Sequence, residues 1–247
     1  MFQIAWITLR RITEKSILVQ FGILALVLIY VGLGLEQIIM SDSIGSENSG
    51  LGIGWVFLSM FTVFWSSVEI PREIDRKEVH VYLAKPITRM RYLLGKYLGM
   101  TGMVLAAEVF LMLVFTGCLV IKGRPPTSVF WSGAARMALF LTLLNAVCVT
   151  ASMLLSEVKA MVTVLAIMAA AGLVFTLAVL AWSSYDTMPA MLFSGAYHLL
   201  PDLLHYRWDP ASGQLLPYLA SLFGYTVGWS TLCLIIAAAL FERMDLP

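Results

Sequence analysis

Charge is scarce in this sequence. Only 13% of its 247 residues are Asp, Glu, Lys or Arg, where a soluble domain carries roughly 25%. Hydrophobic residues make up 60%, and the mean hydropathy is +0.87. A chain so poor in polar groups cannot cover a water-facing surface, which excludes an ordinary soluble domain and makes the bilayer its solvent. Cysteine is also scarce. Cys118, Cys148 and Cys233 each lie inside an apolar run without the spacing of a metal site, so they are read as small packing residues. No Walker A phosphate loop, Ser-His-Asp arrangement or internal repeat is visible. The chain is therefore expected to have no catalytic site, cofactor or metal of its own. The net charge of +1 points to no partner, and no nucleic acid is expected.

What is abundant is apolar sequence in runs of spanning length, about 20 residues. Six are read: Ile17–Leu35, Leu51–Val68, Leu93–Ile121, Gly133–Leu155, Met161–Trp182 and Tyr218–Leu240. Runs this long satisfy their own backbone hydrogen bonds as helices, so the fold class is an all-α membrane protein forming a single transmembrane domain. The first run is too long for a typical signal-peptide core, and no small-x-small cleavage site follows it. Lys and Arg set the orientation. With the N-terminus inside, Arg10, Arg11, Lys15, Arg72, Arg76, Lys77, Lys85, Arg89, Arg91, Lys96, Lys159 and Arg243 are cytoplasmic. Only Lys122, Arg124 and Arg207 fall outside, with Arg136 just within the fourth span. This positive-inside asymmetry places both termini of a multi-pass protein in the cytoplasm.

Between the spans, residues 2–16 place Phe2, Ala5, Trp6, Leu9 and Ile12 on one helical stripe, which predicts an amphipathic helix in the membrane plane. The first external loop is Glu36 to Gly50. The second, Lys122 to Trp131, is stiffened by Pro125 and Pro126. The third, 183–217, is apolar enough to form short helices roofing the outer end of the bundle. Its His198, Asp202 and His205 share a helical face, but Pro201 interrupts it, and interfacial polar residues are the plainer reading than a metal site.

The one sizeable cytoplasmic segment is 69–92. Pro71 suits a first helical turn, Glu73 and Lys77 are spaced to pair on a helix, and the helix is expected to stop near Ala84, before Lys85-Pro86. Thr88 is positioned to cap the helix that follows. Two readings stand side by side: a charged helix pressing on a cytosolic partner, or a solvated loop. Within the membrane, Glu108 and Asn145 are the polar candidates. A carboxylate at that depth is costly and faces a bundle interior or cavity, and Asn145 is expected within hydrogen-bonding reach of it. A substrate path, a subunit interface and a packing role are all open for this pair. Gly95/Gly99 and Gly224/Gly228 have the spacing that allows close helix contacts.

The charged segment carries more than physics. Glu73, then Leu83-Ala84-Lys85-Pro86-Ile87-Thr88-Arg89, then Gly95-Lys96-Tyr97-Leu98-Gly99, resembles the loop of permease subunits of ABC-2-type ABC transporters. Many relatives have Gly-Thr or a similar small pair where this chain has Lys77-Glu78. The tail from Ala237 to Pro247 also resembles the family's ending. The subset it most resembles includes permeases linked to nitrous oxide reductase maturation and to gliding or pilus machinery. The resemblance implies a type V exporter-like fold with an N-terminal in-plane helix, six spans and a cytoplasmic coupling helix, in the inner membrane. It implies a homodimer paired with two copies of a cytosolic ATPase that binds ATP and Mg. It places Arg72, Glu73, Ile74, Asp75, Arg76, Lys77, Glu78 and Val81 at the ATPase contact, with Ile74 and Val81 as apolar anchors. The implied function is ATP-driven export or translocation, hydrolysis residing in the partner. The alternative is a mechanical or scaffolding component that passes force to a periplasmic or envelope partner. Membrane lipid is a partner in either case.

Overall fold

A computed structural model describes residues 43–77, 79, 88–121, 123, 126–183, 206 and 215–243, without the side chains of 43–50 and 171–183. The in-plane helix expected at 2–16, the first span at 17–35, Glu78, Val81, the Lys85-Pro86 break and the His198, Asp202 and His205 trio lie outside the described residues. Those described form five helices: α1 (Ser43–Asp75), α2 (Arg89–Ile121), α3 (Ser128–Leu154), α4 (Glu157–Ser183) and α5 (Leu215–Arg243). Four of them, α1, α2, α3 and α5, are long and apolar enough to cross a membrane.

Every helix extends past the apolar run from which it was expected. α1 and α2 have 33 residues each, or about 50 Å of helix at ~1.5 Å per residue, against a hydrocarbon layer of about 30 Å. Hydropathy finds the part that must be in lipid, while backbone hydrogen bonding continues into the interface. Two expectations are corrected in this way. Residues 43–50, read as external loop, are helical, and Pro71 lies inside α1 rather than opening a new helix.

The end of α1 is also not where Lys85-Pro86 would put it. Lys77 adopts φ 58°, and its N–H donates to the Ile74 carbonyl at 3.0 Å. That is one of the paired bonds of a Schellman-type helix end, so the chain turns at Lys77, seven residues before the stop expected near Ala84. The signal was missed because a left-handed cap usually carries Gly. Val79, just beyond the turn, is helical and fully buried. Lys77→Gly is expected to raise stability by about 0.5–1 kcal/mol and Lys77→Val to lower it by a similar amount or more, because a β-branched residue is strained at this φ. Melting temperatures of the purified variants check the order. The Thr88 cap forms as expected, its hydroxyl accepting from the Arg91 N–H at 3.3 Å.

α3 packs against all four other helices and is the axis of the bundle. Phe130, Phe140 and Leu144 of α3 meet Phe61 and Trp65 of α1 and Met103 and Phe115 of α2 in the larger core. Cys148 is buried in it. A second core lies toward one end of the bundle, where Ile70, Tyr92, Leu93, Val149, Leu234 and Phe241 converge from α1, α2, α3 and α5. In lipid such cores are held by dispersion and close fit more than by water exclusion. Gly95 and Gly99 are buried in α2, whereas Gly224 and Gly228 are exposed, and among the described residues nothing lies within 4 Å of where a Cβ would stand on either.

At the opposite end, Tyr206 is fully buried. Its carbonyl accepts from Arg136 Nη1 at 2.9 Å, and its hydroxyl shares a 2.8 Å hydrogen bond with Thr226 Oγ1. Its ring packs edge-on against Phe140 and Tyr225. The roof expected from 183–217 is described at this one residue of the 184–214 stretch.

Candidate functional site

The second core is capped by a charged network where α1 ends and α2 begins. Glu69 and Glu73 stand one turn apart on α1, so they share a face. Lys96 lies seven residues into α2, two turns from its start and therefore already inside the bundle. Its ammonium donates to Glu69 Oε1 at 3.0 Å and Glu73 Oε1 at 2.7 Å. The second Glu73 oxygen accepts from the Tyr92 hydroxyl at 2.6 Å, and Tyr92 is one turn before Lys96 on α2. Lys96 is only 1% exposed and Glu73 is buried. Charges at that depth persist only when paired and hydrogen-bonded. Removing any one partner strands the others.

Two further contacts extend the network to the remaining helices. Arg72 Nε reaches both oxygens of Glu157, at 3.1 and 3.2 Å, joining the end of α1 to the start of α4. Both groups are partly exposed, so this pair contributes at most about 1 kcal/mol. Arg89 Nη1 donates to the carbonyls of Phe241 and Glu242, at 2.7 and 3.2 Å, and its guanidinium lies 5.7 Å from the Phe241 ring centroid. Those carbonyls are among the unsatisfied acceptors at the C-terminus of α5, where a cation is favoured. Both ends of the 76–88 segment are thus fastened to each other and, through Arg72 and Arg89, to α4 and α5. A push on that segment cannot move α1 alone without breaking the buried Lys96 pairs.

The charged network thus joins the ends of several apolar helices at one end of the bundle. A family model described as ABC-2 family transporter protein matches residues 18–246. The chain belongs to the ABC-2 family of membrane transporter proteins. No individually curated protein matches it.

Within this ABC-2 family member, the residues expected at the partner contact divide into two groups. Asp75, Arg76 and Lys77 are exposed, and Arg72 is exposed apart from its pair with Glu157. Glu73 instead points inward, so the expected pair with Lys77 does not form: Lys77 has left the helix and Glu73 is engaged by Lys96 and Tyr92. Ile74 is half-buried against the second core, not a free anchor. Glu78 and Val81 are outside the described residues. The intramembrane pair also separates. Asn145 Nδ2 donates to Thr101 Oγ1 at 2.7 Å and to the Tyr97 carbonyl at 3.4 Å, and not to Glu108.

Glu69, Arg89, Tyr92 and Lys96 were not singled out as partners from sequence. A signal was present: a lysine flanked by apolar residues inside a helix demands a counter-charge, and Glu69 and Glu73 offer two carboxylates on one face of the preceding helix. The choice between that and a solvent-facing loop depended on where α1 stopped.

Proposed function

We propose that this chain is the permease subunit of an ATP-binding-cassette transporter, coupling ATP hydrolysis in a separate cytosolic ATPase to export or translocation across the inner membrane. Membership in the ABC-2 family implies an ATPase partner in general. The observation that carries the mechanism is the Lys96–Glu69–Glu73–Tyr92 network, which makes the roots of α1 and α2 one rigid piece behind an exposed Asp75-Arg76-Lys77 turn. With the positive-inside orientation, this end is cytoplasmic. Two copies of the chain would meet two ATPases. Closure of the ATPase pair on ATP would press the turn and shift α1 and α2 together, biasing the bundle between two arrangements. ATP and Mg would be bound by the partner, and this chain would perform no chemistry.

The test is a mild-detergent purification of the tagged chain from its native cells, with mass spectrometry and an ATPase assay on the eluate. A soluble ATPase is expected in equal stoichiometry. The variant Arg76→Glu/Lys77→Glu is expected to lose it while keeping the size-exclusion profile of the wild type, because both side chains are exposed. Ile74 is a poorer probe, since a charge there also damages the core. Absence of any ATPase around a folded chain would overturn the permease reading and favour a membrane scaffold.

A further inference from the structure

We propose that Glu108 receives the ammonium head of an amphiphilic amine, which names the cargo class and rests on the permease reading above. Glu108 lies in the middle of α2 and is 4% exposed. Among the described residues it has no hydrogen-bond or ion-pair partner. On its own helix, the buried residues one turn to either side are Val104, Leu111 and Met112. A carboxyl in such surroundings either stays protonated or gains a positive partner, and an ammonium that reaches it supplies that partner. The other buried charged groups among the described residues are engaged: Lys96 and Glu73 pair with each other, Lys96 also with Glu69, and Arg136 donates to the Ser132 and Tyr206 carbonyls.

The surroundings specify the rest of the ligand. One residue on, Val109 is 58% exposed, and Phe110 and Leu113 are exposed beside it. The carboxylate is therefore within one helical turn of the apolar outer surface of α2. A molecule dissolved in the bilayer can lay an alkyl chain along Val109 and Leu113 and turn a hydrogen-bond-donating cation inward to Glu108. A neutral alcohol of equal length gains no charge pairing there, and an anion is repelled. Seven residues nearer the braced end on the same face of α2, Thr101 is bonded to Asn145, whose fully buried Oδ1 has no partner. It offers a donor a second acceptor about 10 Å along the axis.

The experiment uses the chain purified with its ATPase, so that loss of the ATPase would overturn the permease reading, while an intact complex without amine binding would overturn this inference alone. The probe is radiolabelled octylamine at neutral pH, with unlabelled octylamine and octanol as competitors. Saturable binding displaced by octylamine but not by octanol is expected, with at least tenfold weaker binding in Glu108→Gln and retention in Glu108→Asp. Non-saturable uptake, equal displacement by octanol, or undiminished binding by Glu108→Gln would refute it. If Glu108→Gln does not fold, the competition between amine and alcohol on the wild-type complex decides the matter.

Discussion

Replacing Lys96 with Met lowers the stability of the bundle by about 3–5 kcal/mol, the cost of removing one member of a buried ion pair. Met matches the length of the lysine stem, so packing changes little. What changes is charge: Glu69 Oε1 and Glu73 Oε1 lose the ammonium at 3.0 and 2.7 Å, and Glu73 keeps only Tyr92 among these partners. Combining Lys96→Met with Glu69→Gln and Glu73→Gln removes the stranded charges together and is expected to recover most of the loss, since a buried network can be exchanged for neutral groups at little net cost. Thermal unfolding in detergent, followed by size-exclusion profile, measures both. A Lys96→Met protein that melts with the wild type would show that the pairs are not buried together. The triple variant has a second use. If it is stable and still retains the ATPase but no longer couples hydrolysis to movement, rigidity of the brace is what transmits force.

At the other end of the bundle, Tyr206→Ala is expected to cost about 3–5 kcal/mol, in the range for truncating a buried aromatic. The ring is fully buried and packs against Phe140 on α3 and Tyr225 on α5. Its loss leaves a void between two helices that lipid cannot enter. Tyr206→Phe separates the ring from the hydroxyl. It should cost only about 1 kcal/mol, because Thr226 still donates to the Leu222 carbonyl. The Arg136 bond to the residue 206 carbonyl survives both changes, as it uses backbone. Near-equal melting of the Ala variant and the wild type would mean that Tyr206 is not the wedge between α3 and α5.

The sequence by itself determined the solvent and the all-helical class of the fold. Low charge places the chain in lipid, and apolar runs of about 20 residues are the length of spanning helices, whereas barrel strands need only about 10. Loop chemistry was legible where it is local: Thr88 caps α2, as its position before a new helix requires. The family was legible in the Leu83 to Gly99 pattern, and the match over residues 18–246 supports it. Only tertiary structure decided where charges go. Glu73 reads as a surface residue because it follows an apolar run and precedes other charges, yet α1 continues through Pro71 and turns at Lys77, which rotates Glu73 inward to Lys96. Asn145 reads as a partner for Glu108 by depth, yet the facing surfaces of α2 and α3 deliver it to Thr101. Depth along a span is a one-dimensional quantity that hydropathy carries. Which side of a helix meets which neighbour depends on how several helices pack around α3, and no local stretch of sequence contains it.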